Sequence, residues 1–234
     1  MTEKNLPANA PGSEPAVAPT TGSKVADFVR RMKLAPTSTS GRGRLLFAMD
    51  ATMSRQPTWD MAQTLQGEMF RAVETIGGLD VQLVFFRGAY ECRASKWVAD
   101  ANALAALMRK VACAGGHTQI GRVLSHAVEQ RPSAVVYVGD CMEENFDELC
   151  QRANKLALLG VPVFLFQEGN DARAESAFRE IARLSKGAYC RFDAGAADQL
   201  KNLLSAVAVY AAGGREALRS MSGEGARLLL QHIK

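Results

Sequence analysis

The stretch RLLFAMDATMS, residues 44–54, joins a short apolar run to a group of oxygen-bearing side chains. The residues before Asp50 are apolar without alternation, which is typical of a strand buried on both faces of a parallel sheet. Four later runs have the same character: VQLVFF (81–86), AVVYV (134–138), VPVFLF (161–166) and AYCRF (188–192). We therefore predict five strands, of which the first ends at Asp50.

The segments between these runs carry apolar residues at the three- and four-residue spacing of amphipathic helices. They are Trp59–Ile76, Ala103–Val111, Ile120–Ala127, Phe146–Leu156, Phe178–Leu184 and Leu200–Tyr210. Strands that alternate with helices predict a mostly parallel sheet with helices on both faces. The expected fold class is a three-layer, Rossmann-like α/β domain.

Outward from this centre the chain divides into three predicted parts. Residues 1–43 are expected to be an N-terminal extension, in which residues 1–23 are rich in Pro, Ala, Ser and Thr and are expected to be disordered. A short basic amphipathic helix is expected in KVADFVRRMKL (24–34), which either docks on the domain or binds a partner or a membrane surface. Residues 44–212 form the α/β domain. Residues 213–234 form a helical tail, whose leucines are expected to pack onto the domain, the alternative being a small exposed patch for another chain.

Composition excludes several classes of protein. Hydrophobic residues are 47% of the 234 and charged residues 22%, which excludes a wholly disordered or collagen-like chain. No run of about 18 apolar residues occurs, so no membrane span is expected.

The net charge of +4 resides in the first 44 residues, and the balanced remainder gives no reason to expect a nucleic-acid partner. Five cysteines without a C-x-x-C pair, and no secretory signal, favour free thiols and a cytoplasmic location.

Polar side chains follow the strands at the edge where open α/β sheets form their functional crevice. Asp50, Thr52 and Ser54 alternate directly after the first strand, Asp140 follows AVVYV, and Thr118 ends a Gly-Gly-His-Thr segment ahead of a helix. Carboxylates and hydroxyls without a Cys–His pattern favour a hard divalent ion, Mg²⁺ or Mn²⁺, over zinc.

These residues resemble the metal-ion-dependent adhesion site, or MIDAS, of von Willebrand factor type A (VWA) domains. That pattern is Asp-x-Ser-x-Ser, a distant Thr and a distant Asp, and it appears here as Asp50-x-Thr52-x-Ser54, Thr118 and Asp140. The resemblance covers residues 44 to about 210. The departures are Thr52 in place of the usual Ser, and His117 and Cys141 where smaller residues are common.

The resemblance implies roles for the five residues. Thr52, Ser54 and Thr118 would contact the metal through their hydroxyls, while Asp50 and Asp140 would act through water or as orienting groups. An open coordination position would accept a carboxylate from a partner protein. The implied function is a non-catalytic, metal-dependent adaptor, and intracellular relatives often act beside AAA+ ATPases.

A second interpretation comes from the enzyme class. A hydrophobic strand ending in Asp, with Gly-Asp-Cys-Met-Glu-Glu further on (139–144), is also similar to haloacid dehalogenase-type phosphatases. Their pattern implies Asp50 as the nucleophile, Thr118 as a phosphate contact, Lys110 as the charge stabiliser, and Asp140 with Glu143 as Mg²⁺ ligands. The general acid of that family is a second Asp two residues after the first, where this chain has Thr52.

Other motifs give no support to further enzyme classes. The chain has no P-loop, no G-x-G-x-x-G between a first strand and its helix, and no G-x-S-x-G elbow. Asp50 and Asp140 each have a purely structural alternative, because Asp frequently caps loops and helices.

Overall fold

The computed structural model describes residues 42–193 and 196–233, in which six strands form one sheet. The strands are β1 (Gly43–Asp50), β2 (Leu79–Arg87), β3 (Glu91–Ala94), β4 (Ala134–Gly139), β5 (Val163–Glu168) and β6 (Ala188–Phe192). Their order is β3-β2-β1-β4-β5-β6, and every neighbouring pair is parallel except β2 with β3. The carboxyl ends of the five parallel strands therefore lie along one edge of the sheet.

A short 3-10 turn, Met53–Arg55, and seven α-helices complete the described part of the chain. The helices are α1 (Gln56–Arg71), α2 (Ala101–Met108), α3 (Ile120–Gln130), α4 (Phe146–Leu158), α5 (Ala172–Ser185), α6 (Ala197–Ser220) and α7 (Glu224–His232). Helix α6 contains a kink at Gly214, whose φ is 69°. Most helices follow directly from a strand, as the alternating pattern of the sequence predicts.

The helices cover both faces of the sheet. On one face α1, α2, α6 and α7 bury a core that includes Leu45 and Phe47 of β1. On the other face α3, α4 and α5 bury a second core that includes Leu46 and Ala48. Successive residues of a strand point to opposite faces, so an uninterrupted apolar run is what two covered faces require. The predicted three-layer α/β fold is confirmed.

Strand β3 is not among the predicted strands. Its sequence ECRA has two charged residues in four and is half-exposed to exposed. It pairs antiparallel with β2 at the edge of the sheet, where only one neighbour supplies hydrogen bonds. Polar, short edge strands lack the apolar signal of central strands, which explains why the sequence does not reveal it.

The ends of the chain differ in what the structure describes. The predicted N-terminal extension up to residue 41, with its helix at 24–34, lies outside the described residues. In α7, Leu229 is fully buried and belongs to the same core as the sheet, as the leucine pattern of the tail predicts. The boundary at residue 213 stays a prediction.

Two further observations bear on the sequence predictions. All five cysteines are free thiols. In residues 42–193 and 196–233, no helix combines the length and the apolar character needed to cross a membrane.

Candidate metal site at the carboxyl edge of the sheet

Two neighbouring strands bring the two predicted carboxylates to the same edge. Strands β1 and β4 pair in parallel with Met49 opposite Val138, so Asp50 and Asp140 each follow the last paired residues of adjacent strands. Asp50 is 2% exposed, and Asp140 is half-buried. Burial is the main cause of the raised pKa of Asp50, and the Asp140 carboxylate on the neighbouring strand raises it further.

The residues after β1 turn the chain so that its hydroxyls adjoin Asp50. The backbone N–H of Thr52 donates to Asp50 Oδ1 at 2.7 Å, which fixes the start of the turn. The Thr52 and Ser54 hydroxyl oxygens are 3.4 Å apart and lie on the exposed side. This part of the predicted donor set is therefore brought together as the Asp-x-Thr-x-Ser spacing implies.

The segment that carries Thr118 packs against the ends of β1 and β2. Ala114 N–H donates to Ala51 C=O at 3.0 Å, and His117 N–H donates to Gly88 C=O at 3.2 Å. A Cβ added to Gly116 would lie 2.2 Å from the backbone N of Gly88, so only glycine allows this approach. The two backbones can then lie in contact, and Thr118 reaches the same edge as Asp50.

Two glutamates after β4 hold this segment in place. Glu143 Oε2 accepts from Thr118 N–H at 3.1 Å, and Thr118 Oγ1 accepts from Glu143 N–H at 3.1 Å. Glu144 accepts from the backbone N–H groups of Ile120 and Gly121, the first turn of α3. These N–H groups have no partner within the helix, so Glu144 acts as a cap supplied by a distant loop. Thr118 thus exchanges hydrogen bonds with Glu143, and no hydrogen bond joins it to any of the other four predicted site residues.

The electrostatics of the edge reflect crowded, buried carboxylates. Burial raises the pKa of Asp50 to about 6, against hydrogen bonds from Thr52 that lower it. Burial also raises the pKa of Asp140, which the Arg55 guanidinium lowers in part. Burial thus disfavours the charged form of both carboxylates, and a nearby cation would favour it.

Arg55 supplies a cation at this edge that the sequence analysis did not identify. Its Nη2 is 3.1 Å from Asp140 Oδ2, and its Nη1 donates to Glu168 Oε2 at the end of β5. The Thr58 hydroxyl donates to the same Glu168 oxygen. Arginine directly after Ser54 is visible in the sequence, but its contact with Glu168 depends on the order of the strands.

The donor set fits a hard divalent ion in chemistry. In residues 42–193 and 196–233, His, Cys, Asp and Glu form no cluster of three able to hold a metal, so the fit depends on the hydroxyls. A hydroxyl oxygen has two lone pairs, so Thr118 Oγ1 can accept from Glu143 and still face a cation. Carboxylate and hydroxyl oxygens are the donors that Mg²⁺ and Mn²⁺ prefer. The Tyr137 hydroxyl is buried beside Gly139, with no hydrogen-bond partner among the described residues.

The remaining singled-out residues lie around the edge. His117 is exposed, with Nδ1 3.3 Å from Glu143 Oε2. Cys141 is half-buried beside Asp140, and burial raises the pKa of its thiol, so it is not an activated nucleophile. Lys110 is exposed in the turn that follows α2. Glu143, a metal ligand in the phosphatase alternative, accepts from the Thr118 backbone N–H through Oε2.

Comparisons with known proteins agree at the level of the fold. No family model matches the chain, and no curated protein matches it in sequence. Among solved structures, the SpRpn10 VWA domain superposes with a TM-score of 0.54 at 11% identity, covering 74% of this chain and 97% of that domain. Proximal thread matrix protein 1 from the mussel byssus superposes with a TM-score of 0.57 at 16% identity, covering 74% of this chain and 47% of that protein.

A second structure of the mussel protein, described as having a zinc-occupied MIDAS motif, superposes with a TM-score of 0.56 at 16% identity, covering 72% of this chain and 46% of that protein. The chain thus spans about half the length of the mussel protein. None of these likenesses supports the phosphatase alternative. With its sheet order, its two covered faces and these superpositions, the chain has the von Willebrand factor type A fold.

Proposed function

We propose that this domain is a non-catalytic protein-binding module that captures an acidic side chain of a partner through a divalent metal ion. The main support is that Asp50, Thr52 and Ser54 adjoin one another at the carboxyl end of β1, beside Asp140 at the end of β4. We propose Thr118, whose segment is hydrogen-bonded to Glu143 after β4, as the fifth member of the site. The structure with zinc in the MIDAS motif of the mussel protein supports metal binding by this fold in general. Mg²⁺ or Mn²⁺ is the proposed ion, because all five side chains offer hard oxygens.

The chemistry favours a carboxylate as the partner's contribution. Hydroxyl ligands are neutral and so cancel none of the metal ion's charge. In this proposal Asp50 and Asp140 do not bind the ion directly but act through water or orient the ligands. A bound ion would therefore keep a net positive character toward solvent, where Ser54 is exposed. An incoming carboxylate completes such a site better than a neutral group does. We further propose an intracellular adaptor role, with an AAA+ ATPase system as one candidate partner.

Metal binding and partner capture are separate steps and are tested separately. Calorimetry with Mn²⁺ on the full chain should detect binding by the wild type and a loss of affinity of about 10- to 100-fold in Asp50→Asn and Thr118→Val. Glu74→Gln and Thr64→Ala, which change exposed residues outside the carboxyl edge, should bind as the wild type does. Equal affinity in all five proteins would contradict the proposed site.

Partner capture follows with the same variants as bait in native lysate. A partner retained in millimolar Mg²⁺ should be lost in EDTA and lost with Asp50→Asn, while Glu74→Gln retains it. A partner that remains in EDTA would show that binding uses another surface, and the metal-dependent function would be wrong.

A further inference from the structure

Arg55 places a permanent positive charge beside one of the carboxylates of the predicted metal site. Its guanidinium contacts Asp140, one of the five predicted site residues, with Nη2 3.1 Å from Oδ2. The Arg55 side chain is 13% exposed and that of Asp140 26%, so solvent screens this ion pair only in part. The contact is therefore stronger than the ion pairs on the surface of the domain.

A second carboxylate holds the guanidinium from the far side. Arg55 Nη1 donates to Glu168 Oε2, and the Glu168 side chain is 9% exposed. The buried Thr58 hydroxyl donates to the same oxygen and fixes its position. Because Glu168 ends β5 and Thr58 lies in the first turn of α1, two rigid elements anchor Arg55.

The carboxylates at this edge of the sheet give a physical reason for the Arg55 guanidinium beside them. Asp50, Asp140 and Glu168 are three carboxylates with little access to water, and an unpaired buried charge is costly. Without a metal ion, Arg55 compensates part of this charge. A divalent ion at the hydroxyls of Thr52 and Ser54 would meet a guanidinium that already holds Asp140, and two cations near one carboxylate repel each other.

We propose that Arg55 is the resident cation of this edge and competes with the divalent ion for Asp140, so that it sets the metal affinity of the site. The inference rests on the proposed function, because it assumes that a divalent ion binds at these residues. When the ion binds, the Asp140 carboxylate loses its ion pair with Arg55 and interacts with the metal ion and its bound waters. Arg55 keeps its ion pair with Glu168. In the metal-free domain, Arg55 thus compensates the charge of Asp140. Metal binding then requires a concentration of free metal high enough to displace Arg55 from Asp140.

The test compares charge at position 55 while the metal-facing residues stay unchanged. Arg55→Gln removes the charge, Arg55→Lys keeps it, and Arg71→Gln removes an exposed arginine from the far end of α1. Calorimetry with Mn²⁺ on the full chain should show affinity at least about tenfold higher in Arg55→Gln than in the wild type. Arg55→Lys and Arg71→Gln should stay close to the wild type.

Thermal unfolding gives a second readout that does not depend on a partner. In EDTA, Arg55→Gln should unfold at a lower temperature than the wild type, because Asp140 and Glu168 lose their cation. Saturating Mn²⁺ should then raise its unfolding temperature more than that of the wild type. Arg55→Met, which keeps the aliphatic stem, replaces Arg55→Gln if that variant does not fold.

Each outcome separates the two proposals. Equal or weaker Mn²⁺ binding by Arg55→Gln would overturn the competition and leave the proposed metal site standing. No Mn²⁺ binding by any of the proteins would overturn both. Binding by Arg55→Gln together with no detectable binding by the wild type would support the competition and contradict a metal-dependent function of the natural chain.

Discussion

The Asp50 carboxylate is 2% exposed, yet its charge has few compensating contacts. Thr52 N–H donates to it at 2.7 Å, and the Arg55 guanidinium, held by Asp140 and Glu168, contributes at longer range. Burial therefore dominates and raises the pKa of Asp50 to about 6. The Asp50 carboxyl group is therefore neutral in acid. Near neutral pH it ionises, and the buried negative charge would be stabilised by a cation.

This pKa gives a stability prediction for the metal-free domain. Since the folded-state pKa of Asp50 is about 6 and its ordinary value is 3.8, the wild type loses stability as pH rises from about 4 through 6. Asp50→Asn cannot ionise and still offers Oδ1 to Thr52. In EDTA at pH 7.5 we expect it to exceed the wild type in free energy of unfolding by up to about 3 kcal/mol. Urea unfolding from pH 3.5 to 8 measures the difference.

The control for this prediction is Asp193→Asn, which changes an exposed carboxylate. Its free energy of unfolding should stay within about 0.5 kcal/mol of the wild type across the same range. A stability difference between Asp50→Asn and the wild type that does not change with pH would contradict the argument from burial.

What the sequence reveals at this scale depends on distance along the chain. Asp50, Thr52 and Ser54 are recognisable because they directly follow an apolar strand, and they adjoin one another as predicted. The Arg55–Glu168 contact joins residues 113 positions apart, and nothing local to either residue indicates it. The Glu143–Thr118 pair is hidden for the same reason, because it requires β4 and the segment before α3 to end side by side.

At the scale of elements, the site depends on how closely the segment before α3 approaches the end of β2. Gly88 takes a positive φ of 62°, and Gly116 lies against its backbone. Hydrogen bonds from Ala114 and His117 fix the same segment to β1 and β2 from either side of Gly116. Glycine at 116 is thus a requirement of the fold, and it also determines where Thr118 lies.

Gly116→Ala should break this approach. A Cβ there would lie 2.2 Å from Gly88 N, so the backbone must move, at an expected cost of about 1–3 kcal/mol in the free energy of unfolding. The displaced segment carries Thr118, so Mn²⁺ affinity measured by calorimetry should fall as well.

Gly115→Ala is the matched control for that loop. A Cβ at Gly115 has no heavy atom within 4 Å, so the variant should be as stable as the wild type and bind Mn²⁺ equally. If both variants behave alike, the close approach of Gly116 to Gly88 does not position the site.

The elements themselves were predictable to different degrees. The five apolar runs became β1, β2, β4, β5 and β6 because central strands buried on both faces require apolar residues throughout. Helix α1 ends at Arg71, although the apolar stripe continues to Ile76, because tighter turns replace the α-helix there, with Val73 N–H donating to Phe70 C=O and Ile76 N–H to Val73 C=O. A stripe shows which face is buried but does not show where the backbone leaves the helix.

At the scale of the whole molecule, the two faces of the sheet have different roles. The core under α3, α4 and α5 supports the ends of β4 and β5 and the segment that holds Thr118. The core under α1, α2, α6 and α7 joins the first strand to the end of the described chain. The carboxyl edge lies between these two cores, so its geometry depends on both. Helix α7 is distant in sequence from every predicted site residue.

A substitution at Leu229 tests whether α7 contributes to the stability of the domain but not to the metal site. Its side chain is fully buried in the core under α1, α2, α6 and α7. Leu229→Ala should therefore lower the free energy of unfolding by about 2–5 kcal/mol, as a cavity in a packed core does. Leu158→Ala, at a position 57% exposed, should change it by less than about 0.5 kcal/mol.

Mn²⁺ affinity distinguishes stability from site geometry in the same pair of variants. Folded Leu229→Ala should bind Mn²⁺ as the wild type does, because none of the contacts that fix Asp50, Thr118 or Arg55 involves α7. A small effect of Leu229→Ala on urea unfolding would mean that α7 docks only weakly, and the tail after residue 213 would then be a separable segment rather than part of the core.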